Sequence, residues 1–237
     1  MTPSLLLAVL LQACAGGGGN FTSPDRRPDL ATLLPPPPAT GSPADRADLA
    51  ALLAVQAART PAMQAAARAD AEETVFRLLG GMGITLDPAV LPATTSLFAR
   101  LHADESALLG PAKRRWHRRR PFAASPAVQP CVPPPWSASY PSGHAAFAYA
   151  AAEVLADILP EWQDAIRARA RAYAEDRVVC GVHYPSDIEA GRLAGLALVA
   201  AMRDDARYRD ALAAARPELR HAVGLPIQQV GLDQRLR

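Results

Sequence analysis

The chain has 237 residues, a formal net charge of +2, and 50% apolar but only 5% aromatic residues. A chain of this length suits one domain with tails, and so small a charge gives no reason to expect a nucleic-acid partner. Alanine dominates the apolar residues, so the core is expected to consist of many small side chains on closely packed helices. The composition therefore predicts an all-α protein, a single-domain helical bundle.

Residues 1–15 have the character of an export signal. The apolar stretch Leu5–Leu11 is followed by small residues around Cys14, as in a signal peptide. The run Leu11–Cys14 is similar to a bacterial lipoprotein cleavage box, which predicts a lipid anchor at Cys14. Ordinary cleavage without an anchor is the alternative. Both readings predict a periplasmic or secreted protein.

Three further segments follow the leader. Residues 16–43 are rich in glycine and proline and include four consecutive prolines, Pro35–Pro38, a composition that by itself predicts an extended tether. Residues 44–217 carry the helical pattern and are predicted to form the folded domain. Residues 218–237 are predicted to form a C-terminal tail.

Apolar periodicity and helix-end signals predict the helices of this domain. The predicted ranges are 44–79 with a break at Thr60-Pro61, then 93–102, 104–118, 142–159, 160–176, 186–202 and 205–216. The prolines from Pro121 to Pro141 predict a long loop between two of them. The uncharged run Leu193–Met202 is far shorter than the roughly 20 residues of a membrane span, so no transmembrane span is predicted. Gly191 and Gly195, four residues apart, indicate a close approach by a neighbouring helix.

Cys131 and Cys180 are the two cysteines that remain after the leader. An even number of cysteines in an exported chain predicts a disulfide bond between them. Two separate buried thiols are the alternative. No CxxC or HxxxH spacing accompanies these cysteines, so no metal site is expected.

The segment Tyr140–His144 predicts a site for an oxyanion. Ser142 is expected to cap a helix that begins at Gly143, so that backbone N–H groups at the positive end of the helix dipole face outward. Glycine lets an oxygen approach the backbone closely, and His144 follows directly. A routine helix start with a partly exposed histidine is the alternative.

The segment Arg177–Asp187 predicts a histidine nucleophile. His183 precedes Asp187 by four residues, so the carboxylate can hold one imidazole nitrogen and leave the other free to attack. Ser186 is expected to cap the helix that contains Asp187. A surface or capping pair is the alternative reading.

Three cations are candidates for binding a tetrahedral anion: Lys113, which is the only lysine of the chain, Arg120 and Arg177. Guanidinium groups bind two oxygens in a fork, and the ammonium adds a compact charge. The alternative for the run Lys113–Arg120 is a solvated basic face or a nucleic-acid patch. Together with the two histidines, these residues predict the transfer of a phosphoryl group through a histidine.

The three clusters, in this order, resemble the signature of the type 2 phosphatidic acid phosphatase superfamily, which also includes vanadium haloperoxidases. Within it, the chain is most similar to the secreted bacterial class A non-specific acid phosphatases, over roughly Leu33 to Arg216. The shared features include Leu33–Ala39, Arg120-Pro121-Phe122 and Ser139–His144. The resemblance also revises the tether, because the four-proline segment is then expected to pack against the domain.

The resemblance implies an all-α fold and the hydrolysis of small-molecule phosphomonoesters at acidic pH, with no metal or other cofactor. It makes His183 the nucleophile that forms a phosphohistidine, Asp187 its orienting partner, and His144 the acid that protonates the leaving oxygen. It also implies a homo-oligomer and a catalytic domain over residues 44–217. The residues that it implies for phosphate binding are Lys113, Arg120, Ser142, Gly143 and Arg177.

The chain departs from the family pattern at Asp176, where a serine is usual. A carboxylate aimed at the phosphate would oppose binding, so Asp176 is expected to point away from it and to hold Arg177. Two other functions compete with the phosphatase: a vanadate-dependent haloperoxidase, because vanadate mimics phosphate, and a non-catalytic protein that binds anions or nucleic acid through Lys113–Arg120.

Overall fold

The computed structural model of the protein describes residues 19–227. The predicted signal peptide with Cys14 and the last ten residues of the predicted tail lie outside the described residues. Within residues 19–227 the protein is helical and contains no β-strand, which confirms the all-α prediction. No helix in that range is both long and apolar enough to cross a bilayer.

The α-helices of the described range are numbered in chain order. They are α1 (Leu30–Leu33), α2 (Pro43–Ala58), α3 (Pro61–Ala69), α4 (Val75–Gly80), α5 (Pro92–Trp116), α6 (Pro121–Ala124), α7 (Gly143–Ile158), α8 (Gln163–Val179), α9 (Pro185–Met202) and α10 (Ala206–Ala222). Single turns of 3₁₀ helix occur at Pro24–Arg26, Pro88–Val90 and Pro160–Trp162.

Hydroxyl side chains begin four of these helices, among them the predicted cap Ser142. Ser42, Thr60, Thr74 and Ser142 each accept a hydrogen bond from the backbone N–H three residues further on, which satisfies one of the free donors of the first helical turn. Ser186 is an exception, because α9 begins one residue earlier, at Pro185. The prediction that Ser186 caps this helix is therefore wrong.

Helix α7 lies at the centre of the bundle and packs mainly against α8 and α9. Its alanines are largely buried, so neighbouring helices come close. A Cβ placed on Gly191 would lie 2.5 Å from the carbonyl oxygen of Ser142, and one on Gly195 would collide with the carbonyl oxygen of Ala146. The predicted close approach is confirmed, and it brings the first turns of α7 and α9 together.

Three predicted helix boundaries are wrong. The ranges 93–102 and 104–118 form one continuous helix, α5, because Asp104 is not a helix start: its carboxylate accepts hydrogen bonds from the backbone N–H groups of Phe21 and Thr22. Residues 63–79 form two helices, since Thr74 caps a new helix after the break. Helix α10 continues through Pro217 to Ala222.

The N-terminal segment packs against the domain, as the resemblance implies. Leu30 and Leu34 are buried in the main core, and the carbonyl oxygen of Pro35 accepts a hydrogen bond of 2.5 Å from the Tyr140 hydroxyl. The prediction of an extended tether, made from composition alone, is wrong because it ignored Leu30 and Leu34, at the two ends of α1, whose side chains are buried in the core.

Candidate active site

The three sequence clusters meet in one cavity of about 340 Å³. It lies where the last turns of α5 and α8 approach the first turn of α7 and the loop before α9. The predicted site residues that line it are Lys113, Arg120, Gly143, His144, Arg177 and His183. Ser142 and Asp187 are fully buried behind this wall.

The ring of His183 is buried and fixed at both nitrogens. Its Nδ1 lies 3.2 Å from Asp187 Oδ2, and its Nε2 lies 2.7 Å from Nη1 of Arg120. A guanidinium only donates, so Nε2 is the acceptor and Nδ1 carries the proton. Burial and the charges of Arg120 and Lys113 hold the pKa of His183 well below its ordinary value. The ring is therefore a neutral imidazole with its lone pair on the cavity side.

Asp187 accepts three further hydrogen bonds. The donors are the Ser139 hydroxyl at 2.5 Å, the Tyr184 backbone N–H at 2.9 Å and Nη1 of Arg118 at 2.8 Å. Arg118 also donates to Asp48 at 2.8 Å, which ties the site to α2. A carboxylate with this many donors is held firmly in place.

Arg120 joins the cavity wall to two loops. Its Nε and Nη2 donate to the carbonyl and hydroxyl oxygens of Ser137 at 2.9 and 3.1 Å, and its Nη1 donates to the Val182 carbonyl at 2.8 Å. Burial lowers the pKa of Arg120 to about 10. The side chain is thus positioned before any ligand arrives.

Lys113 and Arg177 add two more buried cations. Lys113 Nζ donates to the Ala138 carbonyl at 2.8 Å, and Arg177 Nη1 lies 3.5 Å from the Ala67 carbonyl. Burial, with the charge of Arg120, lowers the pKa of Lys113 to about 8, and burial also lowers the pKa of Arg177. A multiply charged anion would relieve the mutual repulsion of these cations.

The start of α7 supplies backbone donors. The Ser142 hydroxyl caps the helix through Ala145 N at 3.3 Å, and the Ser142 N–H donates to the Asp187 carbonyl at 3.0 Å. The cap is as predicted, but Ser142 does not line the cavity. The N–H groups of the first turn of α7 have no intrahelical partner, and they begin at Gly143 on the cavity wall.

His144 lies between two hydrogen-bond acceptors. Its Nδ1 is 2.7 Å from Glu73 Oε2, and its Nε2 is 3.0 Å from the Ala71 carbonyl oxygen. Because both partners accept, each contact requires a proton on the ring nitrogen. The other oxygen of Glu73 lies 3.3 Å from Nδ1 of His102. Burial alone would raise the pKa of Glu73, but these two imidazoles outweigh it and hold the pKa below its usual range.

Glu105 is a buried carboxyl on the wall opposite Gly143. A Cβ added to Gly143 would lie 3.0 Å from Glu105 Oε1, so the glycine leaves room for this side chain. Burial, together with the negative charge of Glu73, raises the pKa of Glu105 to about 8. The group is accordingly a neutral acid at acidic and neutral pH.

Within residues 19–227, one group of side chains could offer ligands to a metal ion. It consists of Glu73, His102 and Glu105, whose ligand atoms all lie within 4.8 Å of one another. Glu73 is already engaged by two imidazoles, and Glu105 favours its protonated form. Metal ligands must be deprotonated, so this cluster fits a proton network better than a cation site.

Asp176 points away from the cavity, as expected, but it does not hold Arg177. It pairs instead with Asp70, whose carboxylate accepts hydrogen bonds of 2.7 Å from Arg77 and Arg169. Burial and the hydrogen bond to Asp70 raise the pKa of Asp176. The predicted contact with Arg177 is wrong because the Asp176 carboxyl forms its hydrogen bond with the buried Asp70 instead.

Cys131 and Cys180 form a disulfide bond, as predicted. The Cys131 N–H also donates to the Cys180 carbonyl at 3.1 Å. This link joins the proline-rich loop to the end of α8, three residues before His183.

Sequence reasoning missed four polar residues of this site. Arg118 belongs to a basic run that reads as a solvated face, and Glu73 and Glu105 lie at no recognisable spacing from the three clusters. His102 precedes Lys113 by three helical turns, and only the continuity of α5 places both side chains on the cavity.

Known proteins similar to this chain include several phosphatases. A family model described as "PAP2 superfamily" matches residues 92–210. The acid phosphatase of Zymomonas mobilis is 32% identical over 82% of this chain and 76% of its own. Non-specific acid phosphatases of Salmonella typhimurium (30% identity, 84% and 83% coverage) and Providencia stuartii (34% identity, 80% and 80% coverage) are also similar.

Among solved structures, the transmembrane PAP2 type phosphatidylglycerolphosphate phosphatase from Bacillus subtilis shares the fold. It superposes with a TM-score of 0.53 at 19% identity, covering 73% of this chain and 88% of its own. At this identity the similarity concerns the helical architecture alone.

Proposed function

The chain belongs to the PAP2 superfamily, and from this premise we propose that it is an acid phosphatase that hydrolyses phosphomonoesters through a phosphohistidine on His183. The observation that carries the proposal is the fixed ring of His183. Asp187 holds the protonated Nδ1, while the unprotonated Nε2 faces a cavity lined by cations. This is the arrangement that a nitrogen nucleophile requires.

The phosphate group binds among Lys113, Arg120, Arg177 and the first backbone N–H groups of α7 at Gly143. Fixed donors of this kind stabilise the charge of the transferring phosphoryl group without reorganising during the reaction. Arg120 exchanges its contact with His183 Nε2 for one with a phosphate oxygen, which frees the lone pair.

In the first step Nε2 of His183 attacks phosphorus, the P–N bond forms, and the P–O bond to the leaving group breaks. His144 exchanges the contact of its Nε2 with the Ala71 carbonyl for one with the leaving oxygen and gives its proton to that oxygen. In the second step a water molecule gives a proton to His144 and attacks phosphorus, the P–N bond breaks, and inorganic phosphate leaves. Asp187 stabilises the positive charge on the His183 ring in the intermediate.

We further propose that the reaction is independent of metal ions, since the buried cations supply the positive charge that Mg²⁺ supplies in many phosphoryl-transfer enzymes. Export to the periplasm or the medium is also proposed, and the Cys131–Cys180 disulfide supports it because such bonds persist in oxidising compartments. A lipid anchor at Cys14 and a homo-oligomer stay predictions.

The test is the hydrolysis of p-nitrophenyl phosphate at acidic pH with and without EDTA. We expect turnover to be unchanged by EDTA. It should fall at least about a thousandfold in His183→Ala and about a hundredfold in His144→Ala. His221→Ala, at an exposed histidine on α10, is the control and keeps full activity. Loss of activity in EDTA, or full activity in His183→Ala, contradicts the proposal. Vanadate-loaded protein that oxidises bromide with added hydrogen peroxide would favour the haloperoxidase instead.

A further inference from the structure

The segment Cys131–Ala138, called here the rim segment, borders the phosphate cavity and is fixed at both ends. Its first residue is bonded to Cys180. At its other end, Ser137 accepts two hydrogen bonds from Arg120, and the carbonyl of Ala138 accepts one from Lys113. The two cations proposed to bind phosphate therefore also hold the rim segment in place.

Three consecutive prolines, Pro133–Pro135, stiffen the middle of the rim segment, because each ring fixes its φ angle. The next residue is Trp136, whose side chain is 102% exposed. A single exposed apolar residue needs no explanation by itself. Here, however, Trp136 follows the rigid prolines and directly precedes Ser137, which is hydrogen-bonded to Arg120 of the phosphate cavity.

Trp136 lines a cleft of about 350 Å³ that adjoins the phosphate cavity. Arg120, Pro135 and Ser137 line both the cleft and the cavity. A phosphomonoester bound with its phosphate between the cations can therefore extend its leaving group past Ser137 towards the indole. Basic side chains, among them Arg119, line the other side of the cleft.

We propose that Trp136 is a specificity-determining residue that stacks on a planar aromatic ring in the leaving group, so that the preferred substrates are nucleoside monophosphates and other phosphomonoesters carrying such a ring. This inference rests on the proposed phosphatase function. Stacking on an aromatic side chain stabilises a bound base regardless of its identity, and a rigid platform loses little conformational freedom on binding.

The test compares 5′-AMP with ribose 5-phosphate, which have the same reacting ester and differ by the adenine ring. In Trp136→Ala we expect KM for 5′-AMP to rise about tenfold, which corresponds to about 1.4 kcal/mol. We expect kcat for 5′-AMP, and both constants for ribose 5-phosphate, to change less than about twofold. Trp136→Phe, which keeps an aromatic face, should restore most of the affinity for 5′-AMP.

Val90→Ala, at another strongly exposed apolar residue, is the matched control and should leave both substrates unaffected. An equal rise of KM for both substrates in Trp136→Ala, or an unchanged KM for 5′-AMP, overturns the inference. The melting temperature of the variant verifies that it is folded. Wild-type hydrolysis of ribose 5-phosphate reports on the proposed function separately. An enzyme that cleaves ribose 5-phosphate but shows no dependence on Trp136 refutes the stacking role alone.

Discussion

Glu73 contacts Nδ1 of His144 as Asp187 contacts Nδ1 of His183. One carboxylate oxygen lies 2.7 Å from Nδ1 of His144, and the other lies 3.3 Å from His102. The interaction with Glu73 also raises the pKa of His102. Glu73 lines the same cavity, and its carboxylate contacts the proposed acid and His102, so we expect it to act as a positioning residue for the proposed acid.

Replacing Glu73 by glutamine is expected to impair leaving-group protonation specifically. For an alkyl phosphate, whose leaving oxygen needs a proton, kcat/KM should fall at least about tenfold. For 2,4-dinitrophenyl phosphate, whose leaving group departs without a proton, kcat/KM should fall less than about twofold. The measurement is steady-state kinetics on the two esters.

Glu72→Gln, at the exposed neighbouring carboxylate, is the control and should behave as wild type on both esters. An equal fall of kcat/KM on both esters in Glu73→Gln would indicate a general structural role and would contradict the assignment.

Glu105 is expected to weaken phosphate binding as the pH rises. Its pKa of about 8 means that it gains a negative charge above this pH, while Lys113, with a pKa also of about 8, loses its positive charge. The other groups facing Glu105 are Glu73 and His102. Both changes oppose an anion, so KM should rise from pH 7 to pH 9.

The variant Glu105→Gln cannot gain a negative charge at alkaline pH. The rise of KM between pH 7 and pH 9 should therefore be several-fold smaller than in wild type, whereas KM at pH 5, where Glu105 is neutral, should be within about twofold. pH profiles of KM for p-nitrophenyl phosphate measure this. If KM of Glu105→Gln rises as much as KM of wild type between pH 7 and pH 9, Glu105 does not contribute and the effect is due to Lys113.

Single residues were predictable where chemistry requires a rare residue type at a fixed spacing. Lys113, Arg120, Gly143, His144, Arg177 and His183 reach one cavity because each cluster is short and begins or ends a helix. Arg118 and Glu73 were not predictable, because their partners lie 69 and 71 positions away along the chain and no local pattern links them.

At the scale of elements, the contact between α7 and α9 fixes the site. The backbone of α7 passes directly over Gly191 and Gly195, and the same contact places Ser142 N–H on the Asp187 carbonyl. The spacing of these glycines in the sequence predicted a close approach but could not identify the partner helix. The length of α5 was equally unpredictable, because Asp104 reads locally as a helix start and its true partners lie in the N-terminal segment.

Gly195→Ala should therefore destabilise the protein strongly. The added methyl group meets backbone atoms of α7 that cannot move aside, and overpacking of this kind costs about 1–3 kcal/mol or more. Gly80→Ala, where no atom lies within 4 Å of the added Cβ, is the matched control and should be neutral or slightly stabilising. Urea unfolding measures both, and equal stability of the two variants would contradict the packing account.

At the scale of the whole molecule, the Cys131–Cys180 disulfide connects the proline-rich loop to the helical bundle across 49 positions of sequence. The even cysteine count predicted the bond, whereas its proximity to the site depends on the path of the loop and was not predictable. In the loop-entropy description, a ring of this size stabilises the folded state by roughly 4 kcal/mol.

The free energy of unfolding of the double variant Cys131→Ser/Cys180→Ser is thus expected to be about 2–4 kcal/mol lower than that of wild type. Its KM for 5′-AMP should also rise, because the rim segment loses one of its two attachments. Urea unfolding and steady-state kinetics measure the two effects. Unchanged stability in the variant would show that the bond does not constrain the chain.

The central claim is that the phosphoryl group passes through Nε2 of His183. Rapid quenching during turnover of a phosphomonoester carrying radioactive phosphate, followed by peptide mapping under alkaline conditions, tests it most directly. The account predicts an acid-labile, alkali-stable label on the peptide that contains His183, absent from His183→Ala. Label on another residue, or a burst of product with no labelled protein, would contradict it.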